Sequence, residues 1–201
     1  MYRFATRQVC ADLQFLPPRP QAPRRPAALR QRQILAAAVE VVADEGLAAL
    51  RVAEVARRSG IAKTTVYLYF ATREQLILET VRQIAADHLG PLTERSGEEP
   101  PDTRLRAFLR GLYAAARHPA VRAVFAGGPA PVAAESRPAG ELVRASVAGL
   151  VSRLEQLANA AGGDPRLVAL APVLVGGMLV CTAWSDPPGC EGFLGALTGA
   201  A

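Results

Sequence analysis

A cation, two hydroxyl groups and two phenols lie within one short segment, at Lys63, Thr64, Thr65, Tyr67 and Tyr69. Lysine neutralises phosphate, while hydroxyl groups form hydrogen bonds with phosphate oxygens or with the edges of bases. If these residues share one helix, their chemistry favours contact with a nucleic acid. The alternatives are a solvated charge for Lys63, plain helix surface for the two threonines and a place in the core for Tyr67.

The residues just upstream predict the turn that would present such a helix. Ala56 is small enough to let two helices cross closely, and Gly60, four residues later, tolerates the positive φ of a tight turn. Apolar side chains would fill the wedge between the two helices: Val55, Ile61 and Val66. The stretch from Val52 to Tyr69 therefore predicts a helix-turn-helix.

Helical spacing of apolar residues continues along the chain, and no segment shows the alternation of a strand, so we predict an all-α fold. Gly46 would end the first helix, and Thr72 with Gln75 forms the capping-box pattern that begins the fourth, which Gly90 and Pro91 would end. The predicted helices cover residues 29–45, 52–59, 63–70, 73–88, 103–117, 119–125, 141–160 and 166–184, with a loop over 126–140.

Charge and composition narrow the classes of function. The formal net charge is +5, and residues 1–82 hold 13 basic against 7 acidic residues, so the basic excess lies in the front half of the chain. An acidic partner such as nucleic acid or a membrane surface fits that balance. The apolar stretch over 167–185 is interrupted by Pro172 and by Gly176–Gly177, which favours a buried helix over a membrane span.

Residues suited to catalysis or metal binding are sparse. The three cysteines, Cys10, Cys181 and Cys190, are too scattered for a disulfide framework or a zinc site, and their odd number favours a reducing, cytoplasmic setting. The two histidines, His88 and His118, have no cysteine or carboxylate at ligand spacing, and each is expected at a helix end or on the surface. We therefore expect no enzyme activity, no metal and no cofactor.

The run from about Ile34 to Leu76, which includes GIAKTTVYLYFATREQL, resembles the N-terminal DNA-binding domain of the TetR family of transcriptional regulators. The resemblance implies a three-helix helix-turn-helix domain over 28–75 and a helical effector-binding and dimerisation domain over 76–201. It also implies a homodimer that binds a palindromic double-stranded DNA operator as a repressor and releases it when a small molecule binds. The Pro/Arg-rich residues 1–27 would precede these domains as a flexible arm, which is either a disordered leader or a basic arm that reaches DNA.

The same resemblance implies roles for individual residues. Lys63 would make one of the first groove contacts, and Arg73 takes the place of a lysine that holds phosphate at the start of the fourth helix. Leu50, Arg51 and Ala62 depart from the family pattern, because hydroxyl residues usually cap the second and third helices there. The implied DNA contacts are Arg51, Lys63, Thr64, Thr65, Tyr67, Tyr69 and Arg73.

The rest of the chain resembles the family only in layout. The helices over 141–160 and 166–184 are the predicted dimer-forming surfaces, because their apolar positions exceed what a bundle of this size can bury. Six residues at helical spacing either line a pocket for a small hydrophobic effector or form plain core: Phe108, Leu112, Tyr113, Phe125, Met178 and Trp184.

The alternative function is a helical protein–protein interaction module with no specific DNA binding. Its basic front half would then serve only solubility. Salt-sensitive, sequence-preferring binding to a palindrome from the flanking DNA would indicate the regulator, whereas indifference to DNA would indicate the module.

Overall fold

Helices account for the regular structure in the part of the chain that the computed structural model describes, residues 25–94, 99–125, 127–163 and 165–181. The predicted all-α fold is confirmed for those residues. A short 3₁₀ turn spans Leu47–Ala49. The α-helices are α1 (Arg25–Glu45), α2 (Val52–Ser59), α3 (Lys63–Tyr69), α4 (Arg73–His88), α5 (Gly90–Glu94), α6 (Pro101–Arg117), α7 (Pro119–Phe125), α8 (Pro129–Glu135), α9 (Arg137–Ala160), α10 (Pro165–Val168) and α11 (Ala171–Cys181).

The chain divides into two compact units after residue 32. Of the first unit, the structure describes the start of α1, which begins at Arg25 rather than near residue 29. Pro26 lies in the first turn of that helix, where its missing N–H leaves no intrahelical hydrogen bond unmade. Residues 25–27, at the end of the predicted arm, are therefore helical, and residues 1–24 lie outside the described residues.

The second unit starts with the remainder of α1, whose apolar stripe is buried as its spacing predicts. Gly46 ends the helix at a φ of 84°, and its N–H donates to the carbonyl of Val42 at 3.0 Å. That conformation is strained for residues with a Cβ, so the predicted stop at this glycine is confirmed. The fully buried residues of the stripe are Ile34, Ala38, Val41 and Val42.

The predicted helix-turn-helix is present, with α2 and α3 as its two helices. Gly60 adopts the left-handed conformation at a φ of 66°, and its N–H and that of Ile61 both donate to the carbonyl of Ala56. These bonds satisfy a carbonyl that the end of α2 would otherwise leave unpaired. Ile61 is buried, and Val55 and Val66 are fully buried, so the predicted wedge between the helices is confirmed.

Charged side chains link α2, the first helix of the helix-turn-helix, to the end of α1. Arg58 donates to Asp44 at 2.5 Å, to Glu45, and to Glu54 at 3.0 Å, and Arg57 donates to Glu54 as well. The hydrogen bonds from Arg57 and Arg58 lower the pKa of Glu54 to about 2. The two arginines of α2 thus neutralise carboxylates at the end of α1 and within α2.

The connecting helix α4 begins with the predicted cap. The Thr72 hydroxyl accepts the N–H of Gln75 at 3.1 Å, while the side-chain oxygen of Gln75 accepts the N–H of Ala71 at 2.9 Å. The return bond therefore lies one residue earlier than in the standard capping box. Gly90 and Pro91 follow the end of α4, but they also begin α5, since proline is tolerated in the first turn of a helix.

The loop predicted over 126–140 is wrong, because α8 and the start of α9 occupy most of it. The prolines that suggested a loop lie in the first turns of these helices, where a missing N–H does no harm. Ser136 then caps α9 by accepting the N–H of Ala139. Gly140 allows the two helices to pack closely, since a Cβ at that position would lie 2.5 Å from the Cβ of Ala133.

The single apolar helix predicted over 166–184 is also wrong. The structure instead has α10 and α11, which are separated by a turn at residues 169–170. The ring of Pro172 would clash with the carbonyl of Val168 in a continuous helix, and α10 ends at that residue. Residues beyond 181 lie outside the described residues. Within those that are described, no helix combines the length and the apolar character needed to cross a membrane.

Helix α9 is the central element of the second unit, because α4, α6, α8 and α11 all pack against it. Its buried side includes Val143, Leu150, Leu154 and Leu157. The side of α9 that remains exposed carries small residues one turn apart, Ala145, Ala148, Gly149 and Ser152.

The turn at Gly60 generates a prediction about stability. Replacing Gly60 with alanine should lower the free energy of unfolding by about 1–2 kcal/mol, the cost of a left-handed conformation for a residue with a Cβ. An added Cβ meets no atom within 4 Å, so a steric clash contributes nothing to this loss. Gly60→Asn is the matched control, since asparagine tolerates the left-handed region better than alanine. Urea unfolding followed by circular dichroism measures both variants, and an equal loss for the two would contradict the conformational cause.

Candidate nucleic-acid interface

One side of α3 faces outward and carries four exposed side chains, Lys63, Thr64, Tyr67 and Leu68. With 3.6 residues per turn, Thr64 and Leu68 lie on the same side of the helix, one turn apart. Val66 points the opposite way and is fully buried. The burial of Val66 therefore determines which residues of α3 are available to a partner.

The five residues of α3 that the sequence predicts as DNA contacts differ in their exposure to solvent. Lys63, Thr64 and Tyr67 are exposed, and the exposed fraction of Tyr67 is 44%, which excludes its alternative place in the core. Thr65 and Tyr69 are half-buried on the flanks, and Tyr69 packs against the hydrophobic core. Their contacts with DNA remain predictions.

Leu68 is the outward-facing residue that the sequence reasoning missed. Its exposed fraction is 84%, the largest among the exposed large apolar residues of the described structure. Residue type alone suggests that a leucine belongs to the core. Helical position was the signal that could have identified it, because Leu68 lies one turn beyond Thr64 and away from Val66.

The caps of α2 and α3 are made by the backbone alone, as the departures from the family pattern predict. Arg51 and Ala62 occupy the two N-cap positions, and neither side chain forms a capping hydrogen bond. Their carbonyls accept the first N–H groups of each helix, including that of Thr65 at 2.8 Å. Leu50, the third departure, is fully buried and contributes packing instead.

Two exposed cations lie at the starts of the two helices of the helix-turn-helix. Arg51 precedes α2 and Lys63 begins α3, and neither forms an ion pair with another described residue. Arg57 and Arg58 differ, since both are bonded to carboxylates as described above. The local positive charge that remains for an external anion is therefore carried by Arg51 and Lys63.

Arg73 has partners on two other elements of the protein. As the first residue of α4, it donates from Nε to the carbonyl of Leu50 at 2.8 Å and from Nη2 to that of Ala48 at 3.3 Å. Its Nη1 donates to Oε2 of Glu135 on α8 at 2.7 Å. This guanidinium joins the segment before α2 to the carboxyl-terminal helices, and its predicted phosphate contact remains a prediction.

The residues predicted to line an effector pocket differ in their surroundings. Phe108, Leu112 and Phe125 are buried in the hydrophobic core, and Met178 is half-buried against it. Tyr113 is half-buried, and its hydroxyl accepts a hydrogen bond from the arginine one turn later at 3.2 Å. The sixth of these residues, Trp184, lies outside the described residues. Their contact with a ligand remains a prediction.

The two histidines lie together, which the sequence analysis did not anticipate. The ring centroids of His88 and His118 are 3.9 Å apart. Burial, and then the charge of His118, lower the pKa of His88. Among the described residues, no group of three or more histidines, cysteines and carboxylates could hold a metal ion.

Comparisons with known proteins find similarity to one family in the first half of the chain. The sequence model described as bacterial regulatory proteins, tetR family, matches residues 34–85. The HTH-type transcriptional regulator BetI 1 of Chromohalobacter salexigens is 34% identical over 88 residues, which cover 42% of this chain and 43% of that protein. The chain thus matches less than half the length of this curated relative.

Solved structures share the fold over a longer range. A transcriptional regulator from Rhodococcus sp. Rha1 has a TM-score of 0.62 at 24% identity, over 84% of this chain and 94% of that one. AibR, solved in complex with isovaleryl coenzyme A and operator DNA, has a TM-score of 0.61 at 21% identity, over 84% of this chain and 98% of that one. The helix-turn-helix of this chain thus matches the sequence model of the tetR family of bacterial regulatory proteins over residues 34–85, and the described fold is shared with solved transcriptional regulators.

Proposed function

We propose that this protein is a transcriptional repressor that binds a palindromic operator as a homodimer and releases it when a small hydrophobic effector binds. The observation that carries the proposal is the outward side of α3, where Lys63 and Thr64 are exposed, together with the exposed Arg51 at the start of α2. The major groove of B-DNA admits an α-helix, and its walls are lined with phosphates. A helix that presents a cation and a hydroxyl side by side on its exposed side suits that groove.

The contacts divide by chemistry. Arg51 and Lys63 neutralise phosphates and supply affinity that falls as salt rises. Thr64 and Tyr67 lie on the exposed side of the helix and contact base edges or phosphate, while Thr65 and Tyr69 reach the backbone from its flanks. AibR, which shares the fold, was solved with operator DNA, and this supports the same use of the domain here.

The homodimer forms through α9 and α11. The small exposed residues of α9 permit close approach of a second helix, because they hold no bulky side chain at the surface. Val173 of α11 and Leu170 just before it have exposed fractions of 68% and 47%, and a partner copy would remove them from water. A twofold axis there presents two α3 helices to successive major grooves about 34–36 Å apart, or at a related spacing if the site is overtwisted.

The effector binds among the carboxyl-terminal helices, where Phe108, Leu112 and Phe125 supply apolar contacts. Tyr113 and Met178 are half-buried beside them, and Trp184 completes the proposed set. The relative AibR was solved with isovaleryl coenzyme A, which supports a ligand site in this fold. An effector shifts the protein away from its DNA-binding conformation only if it binds the other conformation more tightly.

Arg73 is the residue through which a change in the effector domain alters the affinity for DNA. Its guanidinium bonds with Glu135 of α8, and the same group is the proposed phosphate ligand at the start of α4. The carboxylate and the phosphate are both anions that form paired hydrogen bonds with arginine, so they compete for it. Movement of α8 away from α4 releases Arg73 to DNA, and movement toward it withdraws Arg73.

DNA binding itself can be tested directly. The full chain should bind a palindromic duplex from its flanking DNA in preference to scrambled DNA, and its affinity should fall steeply with salt. Lys63→Ala should reduce the slope of log affinity against log salt by about one for each subunit, the effect of one lost phosphate contact. Arg122→Ala removes an exposed arginine of α7 and is the control. Fluorescence anisotropy measures both, and equal affinity for the two duplexes would support the protein–protein module instead.

The third prediction concerns Glu135. Glu135→Gln should raise affinity for specific and scrambled DNA alike, by about two- to fivefold for each subunit, because Arg73 loses its ionic partner. Glu141→Gln makes the same change of charge on α9, where the carboxylate pairs with Arg137 at 3.5 Å, and should leave affinity nearly unchanged. Anisotropy titrations compare the two variants. An equal rise for both would assign the effect to net charge alone.

The proposed dimer interface gives a fourth prediction. Val173→Glu should raise the dimer dissociation constant by roughly tenfold or more, since the interface would bury an unpaired carboxylate from each subunit. Ala86→Glu introduces the same group on the exposed side of α4 and serves as the control. Sedimentation equilibrium reports the association state of each variant. An unchanged dimer dissociation constant in Val173→Glu would show that the interface lies elsewhere.

A further inference from the structure

We propose that Leu68 selects thymine in the operator by packing against the 5-methyl group of the base. The inference rests on the proposed DNA-binding function and goes beyond it, because it names the base and the chemical group that one residue reads. It concerns a residue to which the sequence analysis gave no role.

The exposure of Leu68 is the first observation. With 84% of its surface accessible, it gains almost none of the stabilisation that burying a leucine gives. Val66, two residues earlier, is fully buried, so α3 has a definite inner side and Leu68 does not belong to it. Packing within the described structure therefore gives no account of this leucine.

The neighbours of Leu68 supply the second observation. It lies one turn beyond Thr64, on the side of α3 that also carries Lys63 and Tyr67. Lys63 is an exposed cation on this side, and Arg51 is a second exposed cation, at the start of the preceding helix α2. When such cations bind the phosphates that line a groove, the other exposed residues of the helix meet base edges. Leu68 then makes an apolar contact with DNA, and it is not part of a surface that binds an apolar face of another protein.

The chemistry of the major groove identifies the base. The side chain of leucine neither donates nor accepts a hydrogen bond. Against the edge of guanine, adenine or cytosine it would displace the water bound to that edge and form no hydrogen bond in its place. Thymine differs, since its 5-methyl group projects into the major groove and provides apolar surface. Leu68 therefore favours thymine by attraction to the methyl group and disfavours cytosine by the cost of covering its amino group.

Removal of the methyl group alone tests the inference. The full chain is titrated by fluorescence anisotropy against its operator duplex and against duplexes in which one symmetric pair of thymines is replaced by deoxyuridine. Replacement of one of these pairs, the pair that Leu68 contacts, should lower the affinity of the wild-type protein about fourfold for each half-site. This loss corresponds to the free energy of burying one methyl group. Leu68→Ala should bind the thymine and deoxyuridine duplexes equally, and Leu68→Met, which keeps an apolar contact, should retain most of the penalty.

The outcomes separate the inference from the function on which it rests. A wild-type protein that shows no sequence preference in DNA binding overturns both. A protein that prefers its operator but is insensitive to deoxyuridine at every thymine pair overturns the role of Leu68 alone. A penalty that persists in Leu68→Ala also overturns it, because another residue would then contact the methyl group.

Discussion

The left-handed backbone of Gly60 is the constraint on which the candidate interface depends. Its φ of 66° turns the chain at the end of α2 so that Ile61 and Val66 enter the apolar wedge that Val55 also fills. Once Val66 is buried, the helical repeat places Lys63, Thr64, Tyr67 and Leu68 on the open side. The chemistry of α3 is thus arranged by one turn residue and one buried valine, neither of which would touch a partner.

The distribution of charge within the folded domain differs from the distribution along the chain. The front half has a basic excess, yet Arg58 is committed to Asp44, Glu45 and Glu54, and Arg57 to Glu54. These ion pairs join α2 to the end of α1 and leave no excess positive charge there, since three carboxylates face two arginines. An exposed cation without a described ionic partner has a different physical role, because a phosphate can bind it without displacing a carboxylate.

Helix bounds that depend on a turn glycine or a capping residue could be predicted from the sequence. Features that depend on contacts between distant residues could not. The bounds of α2 and the starts of α3 and α4 follow from Gly60 and from the Thr72 cap. The loop predicted over 126–140 failed because proline both interrupts helices and starts them, and only the neighbouring packing distinguishes the two uses. Leu68 was overlooked because residue type suggested burial. Arg73 was recognised as a cation, but its contact with Glu135 joins residues 62 positions apart, and no local pattern encodes such a contact.

The approach of α8 to α9 at Gly140 has a mechanical consequence. A Cβ at Gly140 would lie 2.5 Å from the Cβ and 2.7 Å from the Cα of Ala133, so the two backbones meet there with no flexible side chain between them. Such a joint is stiff, because nothing soft is available to absorb a small shift. Glu135 lies two residues beyond Ala133 on the same short helix. A displacement of α9 at Gly140 would therefore push directly on the backbone of α8 and carry Glu135 with it.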